Sequence, residues 1–303
     1  MNYLILGSGF GLYGYLPAVL SKKSNVVYLE KKYKKIINSR KDLNIYKNKI
    51  IWIQNYLSNL EIIDYLIIAK RPSDQVKIIK KIINKKNILK KIFLEKPIAK
   101  NPLAAKNLLN ILKKKKINVS FGFIFQYTNW YKKIKNFIKE NKKKKKKNEI
   151  EIIWNFNAFF LKKKVKSWKN DISQGGGIIN FYGIHFIKLI NDLKFNKIIN
   201  SIQVNKNKSN YWFSSYKKNK NIFKLKINIS SKKNLFRIKL KNYSKDTSIN
   251  LPNPFGKNNN FTKKNNKVIF LIKYLEYEMH KKTNYNELFI FTNFWEKIIK
   301  YNN

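Results

Sequence analysis

The chain has 303 residues, of which 44% are apolar and 15% aromatic, enough to bury the cores of two globular domains. Its formal net charge is +50, but only Arg40, Arg71 and Arg237 among its 66 basic residues are arginine, which argues against specific nucleic-acid recognition. Cysteine is absent, which excludes disulfides, thiolate metal sites and a cysteine nucleophile.

The lysines are spread along the whole chain, including runs within residues 113–116 and 142–147. We interpret these runs as solvated helix ends or loops, which attract polyanions only non-specifically at low salt. No apolar stretch approaches the roughly 18 residues of a membrane-spanning helix, and the N-terminus enters a strand without a basic leader. The sequence therefore predicts a soluble, cytoplasmic protein with no metal site.

A glycine-rich turn follows the first predicted strand, residues 3–6. Gly7, Gly9 and Gly11, with Phe10 between the last two, stand between this strand and a helix. Such a turn brings backbone N–H groups and a helix N-terminus close to the pyrophosphate of a dinucleotide. Two registers are possible, because a GxGxxG pattern from Gly7 has Leu12 in place of its third glycine, whereas one from Gly9 is complete. The strand end at Leu6 and the spacing to Leu16-Pro17-Ala18 favour the register from Gly7. Gly9 and Gly11 lie inside the turn in both registers.

The second predicted strand, residues 25–29, leads into Glu30, about 20 residues beyond the glycines. A carboxylate at this point accepts hydrogen bonds from the ribose hydroxyls of an adenosine. Lys31 and Lys32 follow at once and offer charge to a 2′-phosphate instead. The sequence thus predicts NAD or NADP as cofactor and leaves the choice between them open.

Strands and helices alternate over the next ninety residues, as in βαβ units with a parallel sheet. We predict strands at residues 49–53, 65–69, 91–94 and 117–123, and helices at residues 72–83 and 102–112. Glu95, Lys96 and Pro97 follow the fifth strand, at the carboxyl edge where open α/β sheets bind their ligands. A lysine ammonium at this edge can polarise a substrate oxygen.

The second half of the chain predicts a different architecture. A helix at residues 129–140 precedes strands at 149–156, 198–205, 211–216, 222–229 and 235–240, which alternate in polarity as an antiparallel sheet does. A helix at residues 178–193 carries His185, whose imidazole suits general acid/base chemistry. Residues 244–266 are interpreted as a long loop, followed by helices at 268–281 and 286–300. His280 is assigned a structural role.

Three separated motifs resemble the Gfo/Idh/MocA oxidoreductases. The turn GSGFGLYGYLPAV at residues 7–19 is similar to the family's phosphate-binding turn, residues 95–97 to its EKP motif, and residues 174–177 with His185 to its glycine triplet and histidine-bearing helix. The segment from Trp168 to Asp171 is also similar. This resemblance covers about residues 3–190.

The resemblance implies an α/β fold with two domains. We place a Rossmann domain with a doubly wound parallel sheet at residues 1–122, and an α+β domain with an open, mostly antiparallel sheet at residues 123–303. It also implies that the second domain forms a homodimer or homotetramer. The implied site consists of catalytic Lys96 and His185 and a cofactor-binding set of Gly7, Gly9, Phe10, Gly11, Glu30, Glu95 and Lys96.

Several positions depart from the family pattern. Phe181 replaces the aspartate expected four residues before the histidine, Lys188 replaces a second aspartate, and Gln126 replaces a common arginine. Tyr182 can supply a hydroxyl near His185 or simply pack in the core. The predicted pocket is therefore less charged than in the family.

The sequence leads to two hypotheses about function. The first is an NAD(P)-dependent oxidoreductase that moves a hydride between the nicotinamide and a hydroxyl- or keto-bearing carbon of a sugar, sugar nucleotide or cyclitol. The second is a cofactor-binding protein of the same fold that has lost turnover and serves as a binding or assembly partner; Phe181 favours it. A lysine-driven nucleic-acid-binding protein is a third, disfavoured class.

Overall fold

The structure, a computed structural model, describes residues 1–85, 89–143, 147–204, 210–243, 245–256 and 266–302. The chain divides into two compact units. The first comprises residues 1–99, 104–122 and 262–286, and the second comprises residues 100–103, 123–261 and 287–303. The expected domain boundary after residue 122 puts residues 262–286 in the second domain, whereas their contacts group them with the first unit.

The strands of the first unit form a parallel sheet. In the described residues they are β1 (Asn2–Leu6), β2 (Val26–Glu30), β3 (Ile50–Ile53), β4 (Tyr65–Ile68), β5 (Lys91–Leu94) and β6 (Val119–Phe121). Their order is β3-β2-β1-β4-β5-β6, and every neighbouring pair is parallel. This is the Rossmann order, in which ligands bind where the strand order reverses, here beside β1 and β4. The predicted α/β fold with a doubly wound parallel sheet is confirmed.

The helices of both units have the following bounds: α1 (Leu16–Val19), α2 (Lys34–Ser39), α3 (Lys41–Asn44), α4 (Pro72–Ile82), α5 (Pro102–Lys114), α6 (Asn129–Lys143), α7 (Phe159–Lys162), α8 (Ile184–Asp192), α9 (Asn266–Met279) and α10 (Tyr285–Asn302). Pro72 and Pro102 begin α4 and α5, where a missing N–H costs nothing. No helix in the described part of the chain is both long and apolar enough to cross a membrane.

A buried lysine explains why α9 belongs to the first unit. The Lys91 ammonium, on β5, donates to the backbone oxygens of Glu278 and Lys281, each at 2.5 Å. The Ser120 hydroxyl donates to Glu278 Oε2 at 2.6 Å. Burial lowers the pKa of Lys91 to about 8. The residues after the predicted loop therefore return to cover the end of the Rossmann sheet.

The second unit contains a mixed sheet. Its described strands are β7 (Glu149–Asn157), β8 (Lys197–Val204), β9 (Tyr211–Lys218), β10 (Asn221–Asn228), β11 (Ser230–Asn242) and β12 (Lys245–Leu251). Their order is β12-β11-β7-β10-β9-β8, and only β7 and β10 run parallel to each other within it. The predicted open, mostly antiparallel sheet is confirmed.

Strand β12 lies within residues 244–266, which the sequence predicts to be one long loop, so that prediction is wrong for this segment. Lys245–Leu251 pairs antiparallel with β11, from Asn242 to Phe236. The segment is polar because it is an edge strand, and the pairing with β11 supplies the backbone hydrogen bonds that its propensity does not predict. Residues 244 and 257–265 of the predicted loop, and residues 144–146 of the second lysine run, lie outside the described residues.

The predicted helix at residues 178–193 is also divided. Ile178–Gly183 forms a π-helical turn, and α8 follows it. Gly183 lies against a buried ring, since a Cβ there would stand 2.5 Å from the Trp212 side chain. The close packing of β9 on this turn places His185 in the first turn of α8.

Candidate active site

The turn after β1 is packed tightly against the segment after β4. Gly7 has φ of +146°, and a Cβ built on it would lie 2.2 Å from the backbone oxygen of Ala69. A side chain at this position therefore meets both backbone strain and a collision with backbone. Gly11 contributes the close helix–strand approach, since a Cβ there would lie 3.2 Å from a methyl group of Ile5. The turn sits at the point where the strand order reverses.

Gly9 faces open space, because no atom lies within 4 Å of a Cβ built on it. Its carbonyl accepts hydrogen bonds from the N–H groups of Leu12 and Tyr13, at 2.9 and 3.2 Å. Phe10 packs edge-on against the Tyr13 and Tyr15 rings. The turn is thus held from within and leaves its exposed backbone at Gly9 open to a phosphate.

Glu30 ends β2 with only 7% of its surface exposed. The ammonium of Lys32 lies 2.5 Å from Glu30 Oε2. Burial and the neighbouring Glu30 charge raise the pKa of Tyr33 to about 12. Tyr33 therefore lies close to the carboxylate that the sequence assigned to the ribose.

Glu95 is buried beside Lys96 and is held by a tyrosine that lies outside the predicted site. The Tyr15 hydroxyl donates to Glu95 Oε1 at 2.7 Å. Burial raises the pKa of Glu95 to about 7, and the charge of Lys96 and the Tyr15 hydrogen bond limit that rise. A Cβ on Gly122 would lie 2.5 Å from Glu95 Oε1, so a side chain there would displace the carboxylate.

The backbone around Lys96 is held by Gln75, which is fully buried on α4. The N–H of Glu95 donates to Gln75 Oε1 at 2.9 Å, and Gln75 Nε2 donates to the carbonyls of Glu95 and Pro97 at 2.9 and 3.4 Å. The Lys96–Pro97 peptide bond is cis. A signal for Gln75 was present in the sequence, because it is a polar residue on the face of α4 that carries Ile78, Ile79 and Ile82.

In the second unit, His185 is buried in α8 and packs against aromatic rings. Its imidazole stacks on Phe125 with 4.2 Å between ring centroids and 19° between planes. Phe123 meets the imidazole edge-on at 6.1 Å. Two phenylalanines from the segment after β6 therefore fix the plane of the ring. His280, assigned a structural role, is exposed just beyond α9.

The substituted positions of the second unit are occupied as follows. Phe181 packs edge-on against Trp168 and Tyr182. Lys188 pairs with Asp192, one turn further along α8, at 2.5 Å. Gln126 donates from Nε2 to the Tyr127 hydroxyl at 3.0 Å, and burial raises the pKa of Tyr182. None of these contacts restores a carboxylate at position 181.

The structure brings several predicted residues together within one unit. Gly7, Gly9, Phe10 and Gly11 form a single turn, and Glu30, Glu95 and Lys96 belong to the same unit. His185 belongs to the second unit, with Phe181 and Tyr182 on the preceding turn. The residues that sequence reasoning missed, Tyr15 and Gln75, support Glu95 from elements far away in the sequence.

Comparison with known proteins agrees with the Rossmann order and its glycine turn. Residues 1–123 match the model of the Gfo/Idh/MocA family, described as an oxidoreductase family with an NAD-binding Rossmann fold. The chain is thus similar to this family over residues 1–123. Its cofactor is accordingly a nicotinamide dinucleotide, and the open backbone at Gly9 and the carboxylate of Glu30 fit such a group. A search of curated proteins finds no match.

Solved structures extend the similarity in fold to the whole chain. A myo-inositol dehydrogenase from Corynebacterium glutamicum is 11% identical with a TM-score of 0.72, over 100% of this chain and 96% of that chain. A super-repressor mutant of Gal80p from Saccharomyces cerevisiae is 13% identical with a TM-score of 0.78, over 99% and 95%. The WlbA dehydrogenase from Thermus thermophilus, in complex with NAD and UDP-GlcNAcA, is 13% identical with a TM-score of 0.65, over 98% and 94%.

Proposed function

We propose that this protein is an NAD(P)-dependent dehydrogenase or reductase that acts on the CH–OH or keto group of a sugar, sugar nucleotide or cyclitol. The observation that carries the proposal is the first unit's combination of an open backbone at Gly9, a buried carboxylate at the end of β2, and a supported Glu95–Lys96 pair. Similarity in fold to a myo-inositol dehydrogenase and to WlbA supports a sugar-like substrate.

The proposed mechanism assigns a role to each residue. Gly7, Gly9, Phe10 and Gly11 bind the pyrophosphate, Glu30 binds the ribose, and Glu95 and Lys96 border the nicotinamide end. When bound, the nicotinamide supplies the hydride acceptor or donor. The Lys96 ammonium orients and polarises the reacting oxygen, with its backbone positioned by Gln75. His185, whose ring plane Phe125 fixes, is assigned the exchange of a substrate proton.

Cofactor binding is tested by titrating the protein with NADH and NADPH in high salt and recording nicotinamide fluorescence, with ATP as a competitor. The Gly9→Asp variant is expected to lose binding, because its carboxylate enters the open space beside the turn and repels the pyrophosphate. Asn110→Asp adds the same charge on an exposed position of α5 and should bind as the wild type does. Equal binding by wild type and Gly9→Asp would contradict the proposal.

We further propose that NAD is preferred to NADP. The Glu30 carboxylate repels a 2′-phosphate, and Lys32, the cation beside it, is engaged with Glu30 at 2.5 Å. Glu30→Ala is expected to raise NADPH affinity relative to NADH by about tenfold or more, as the loss of a charge repulsion predicts. An unchanged ratio would show that Glu30 does not discriminate.

A second candidate function is that of a cofactor-binding protein without turnover. Phe181, where the family resemblance expects an aspartate, favours it, and the similarity in fold to Gal80p is compatible with it. If this candidate is right, Phe181→Asp should increase turnover strongly while NADH affinity stays constant. Phe159→Asp is the control, because it places the same residue at an exposed position of the same unit. Substantial turnover by the wild type would favour the first candidate.

We propose that the protein is cytoplasmic and forms a homodimer or homotetramer through the second unit's sheet. On the face of β7 opposite the core, Glu151 pairs with Lys226 on β10 at 2.8 Å and lies 3.8 Å from Lys239 on β11. Such alternating charges can pair across two copies of the same surface. Sedimentation velocity should give a dimer or tetramer; a monomer at all concentrations would contradict this.

A further inference from the structure

Lys169 is held firmly in the second unit, next to the glycine triplet. It lies in the 3₁₀ turn Trp168–Asn170, where its N–H donates to the Ser167 hydroxyl at 3.3 Å. A Cβ on Gly176 would lie 2.2 Å from the carbonyl oxygen of Trp168 and 2.7 Å from that of Lys169. The glycine therefore allows the Lys169 backbone to approach the start of the histidine-bearing segment closely.

The Lys169 ammonium is placed over an aromatic face. Its Nζ lies 5.2 Å from the centroid of the Phe181 ring. Burial alone lowers the pKa of Lys169, and no carboxylate of the described residues forms an ion pair with it. Asp171, two residues away, instead accepts hydrogen bonds from Ser173 and Gln174 at 2.6–2.9 Å. A half-buried cation without a counter-ion is costly unless a ligand supplies the opposite charge.

Ring contacts connect this cation to His185. The contacts run from Phe181 to Tyr182 at 4.8 Å, to Trp154 at 5.8 Å, to Phe125 at 6.3 Å and on to His185 at 4.2 Å. Phe181, Tyr182 and Trp154 are each half-buried. One end of this series is basic, its middle is apolar, and the other end carries the imidazole.

The residue at position 181 determines the charge near Lys169. An aspartate there would form an ion pair with Lys169 and would repel an anionic ligand. With phenylalanine at position 181 that carboxylate is absent, and the Lys169 ammonium lies over an apolar ring. The local charge is thereby positive where the resemblance predicted a negative group.

We propose that Lys169 binds an anionic substituent, a carboxylate or a phosphate, on a substrate whose ring packs against the aromatic series. This inference rests on the proposed function, since it names the substrate class of the same site. Lys169 is therefore a specificity-determining residue, and the preferred substrates are acidic sugars in place of neutral ones. The aromatic rings contact the apolar face of the sugar ring, and Lys169 favours substrates that carry a negative charge.

The test compares three probes with the same pyranose ring: D-glucose, D-glucuronate and D-glucose 6-phosphate. Binding to the full-length protein is measured by ligand-observed NMR with NADH present and about 0.3 M NaCl to screen the surface charge. The wild type should bind at least one acidic probe about tenfold more tightly than glucose, as a charge-assisted contact predicts. Tighter binding of glucuronate would identify a carboxylate as the preferred group, and tighter binding of glucose 6-phosphate would identify a phosphate.

Two variants make the test specific. Lys169→Met keeps most of the apolar stem and should lose the preference for the acidic probe, while Lys169→Arg should retain it. Lys166→Met removes the same charge from an exposed position three residues earlier and should leave the preference intact. Thermal unfolding by circular dichroism establishes that each variant is folded.

Four results would overturn the proposal: equal affinity for glucose and both acidic probes, a preference that survives Lys169→Met, a preference that Lys166→Met abolishes equally, or no binding of any probe. The proposed function fails separately, since it requires NADH binding that Gly9→Asp abolishes. A protein that binds NADH but shows no Lys169-dependent preference would retain the dehydrogenase proposal and lose this one.

Discussion

The two units hold their candidate site residues by different interactions. In the first unit, Glu95 is held by hydrogen bonds from Tyr15 and to Gln75, and Glu30 by an ion pair. In the second unit, His185 is held by the stacked ring of Phe125. Hydrogen bonds specify distance and direction, whereas ring contacts specify mainly the plane of a group. The positions of the candidate site residues are therefore more narrowly specified in the first unit than in the second. The second unit can accordingly differ more in the ligand that it binds.

The glycine turn gives the largest expected effect and tests whether the first unit depends on backbone packing. Gly7→Ala combines a left-handed φ with a Cβ 2.2 Å from the Ala69 oxygen, and should cost more than about 3 kcal/mol in the free energy of unfolding. Gly9→Ala, in open space, should change it by less than about 0.5 kcal/mol. Urea unfolding measures both. Equal destabilisation of the two variants would show that the turn is not packed as described.

The buried Glu95 predicts a pH dependence that is specific to the first unit. Its pKa rises from 4.5 in the unfolded chain to about 7 in the folded state, so the folded state binds the proton more tightly in that window. The contribution of Glu95 to the free energy of unfolding should therefore fall by about 3 kcal/mol as pH rises from 4.5 to 7. Glu95→Gln should remove this fall. A wild-type stability curve identical to that of Glu95→Gln would refute the assignment.

The Tyr15 hydrogen bond provides a second test of the pH dependence that Glu95 causes. Tyr15→Phe removes the donor that stabilises the ionised carboxylate, so the fall in stability should extend to higher pH than in the wild type. Tyr46→Phe, on the surface segment after α3, serves as the matched control and should leave the curve unchanged. Chemical unfolding at several pH values between 5 and 8 compares the variants.

The Gln75 hydrogen bonds test whether the contacts that hold the backbone around Lys96 contribute to the stability of the protein. Gln75→Leu leaves the buried N–H and carbonyl of Glu95 without their side-chain partner and should cost about 2 kcal/mol in the free energy of unfolding. Gln54→Leu, an exposed position after β3, should cost less than about 0.5 kcal/mol. If Gln75→Leu proves as stable as the wild type, the backbone around Lys96 is held by other contacts.

The smallest expected effect belongs to the second unit. Lys188→Ala breaks the pair with Asp192 and should cost about 0.5 kcal/mol at low salt and less at high salt. Thermal unfolding at two ionic strengths measures the difference. A cost of several kcal/mol would mean that ion pairs, as well as ring contacts, organise the helix that carries His185.

Local patterns in the sequence determined much of the fold and part of the candidate site. The strands, the glycine turn and Glu30 at the end of β2 follow from short apolar runs, from turn residues and from a fixed separation along the chain. The Glu95–Lys96–Pro97 motif was identifiable because it follows a buried strand. These features depend on residues that are close together in the sequence, so periodicity and spacing are enough to find them.

Contacts between distant segments decided the rest. Tyr15 and Glu95 are separated by 80 residues, and Lys91 and Glu278 by 187. No local pattern indicates that residues 262–286 return to the first unit, that β12 pairs with β11, or that Lys169 lies over Phe181. Such pairings depend on which elements the folded chain brings together. They stabilise the protein only after burial has removed both partners from water. Tertiary structure alone therefore decided how the candidate site residues are supported and what charge the second unit presents.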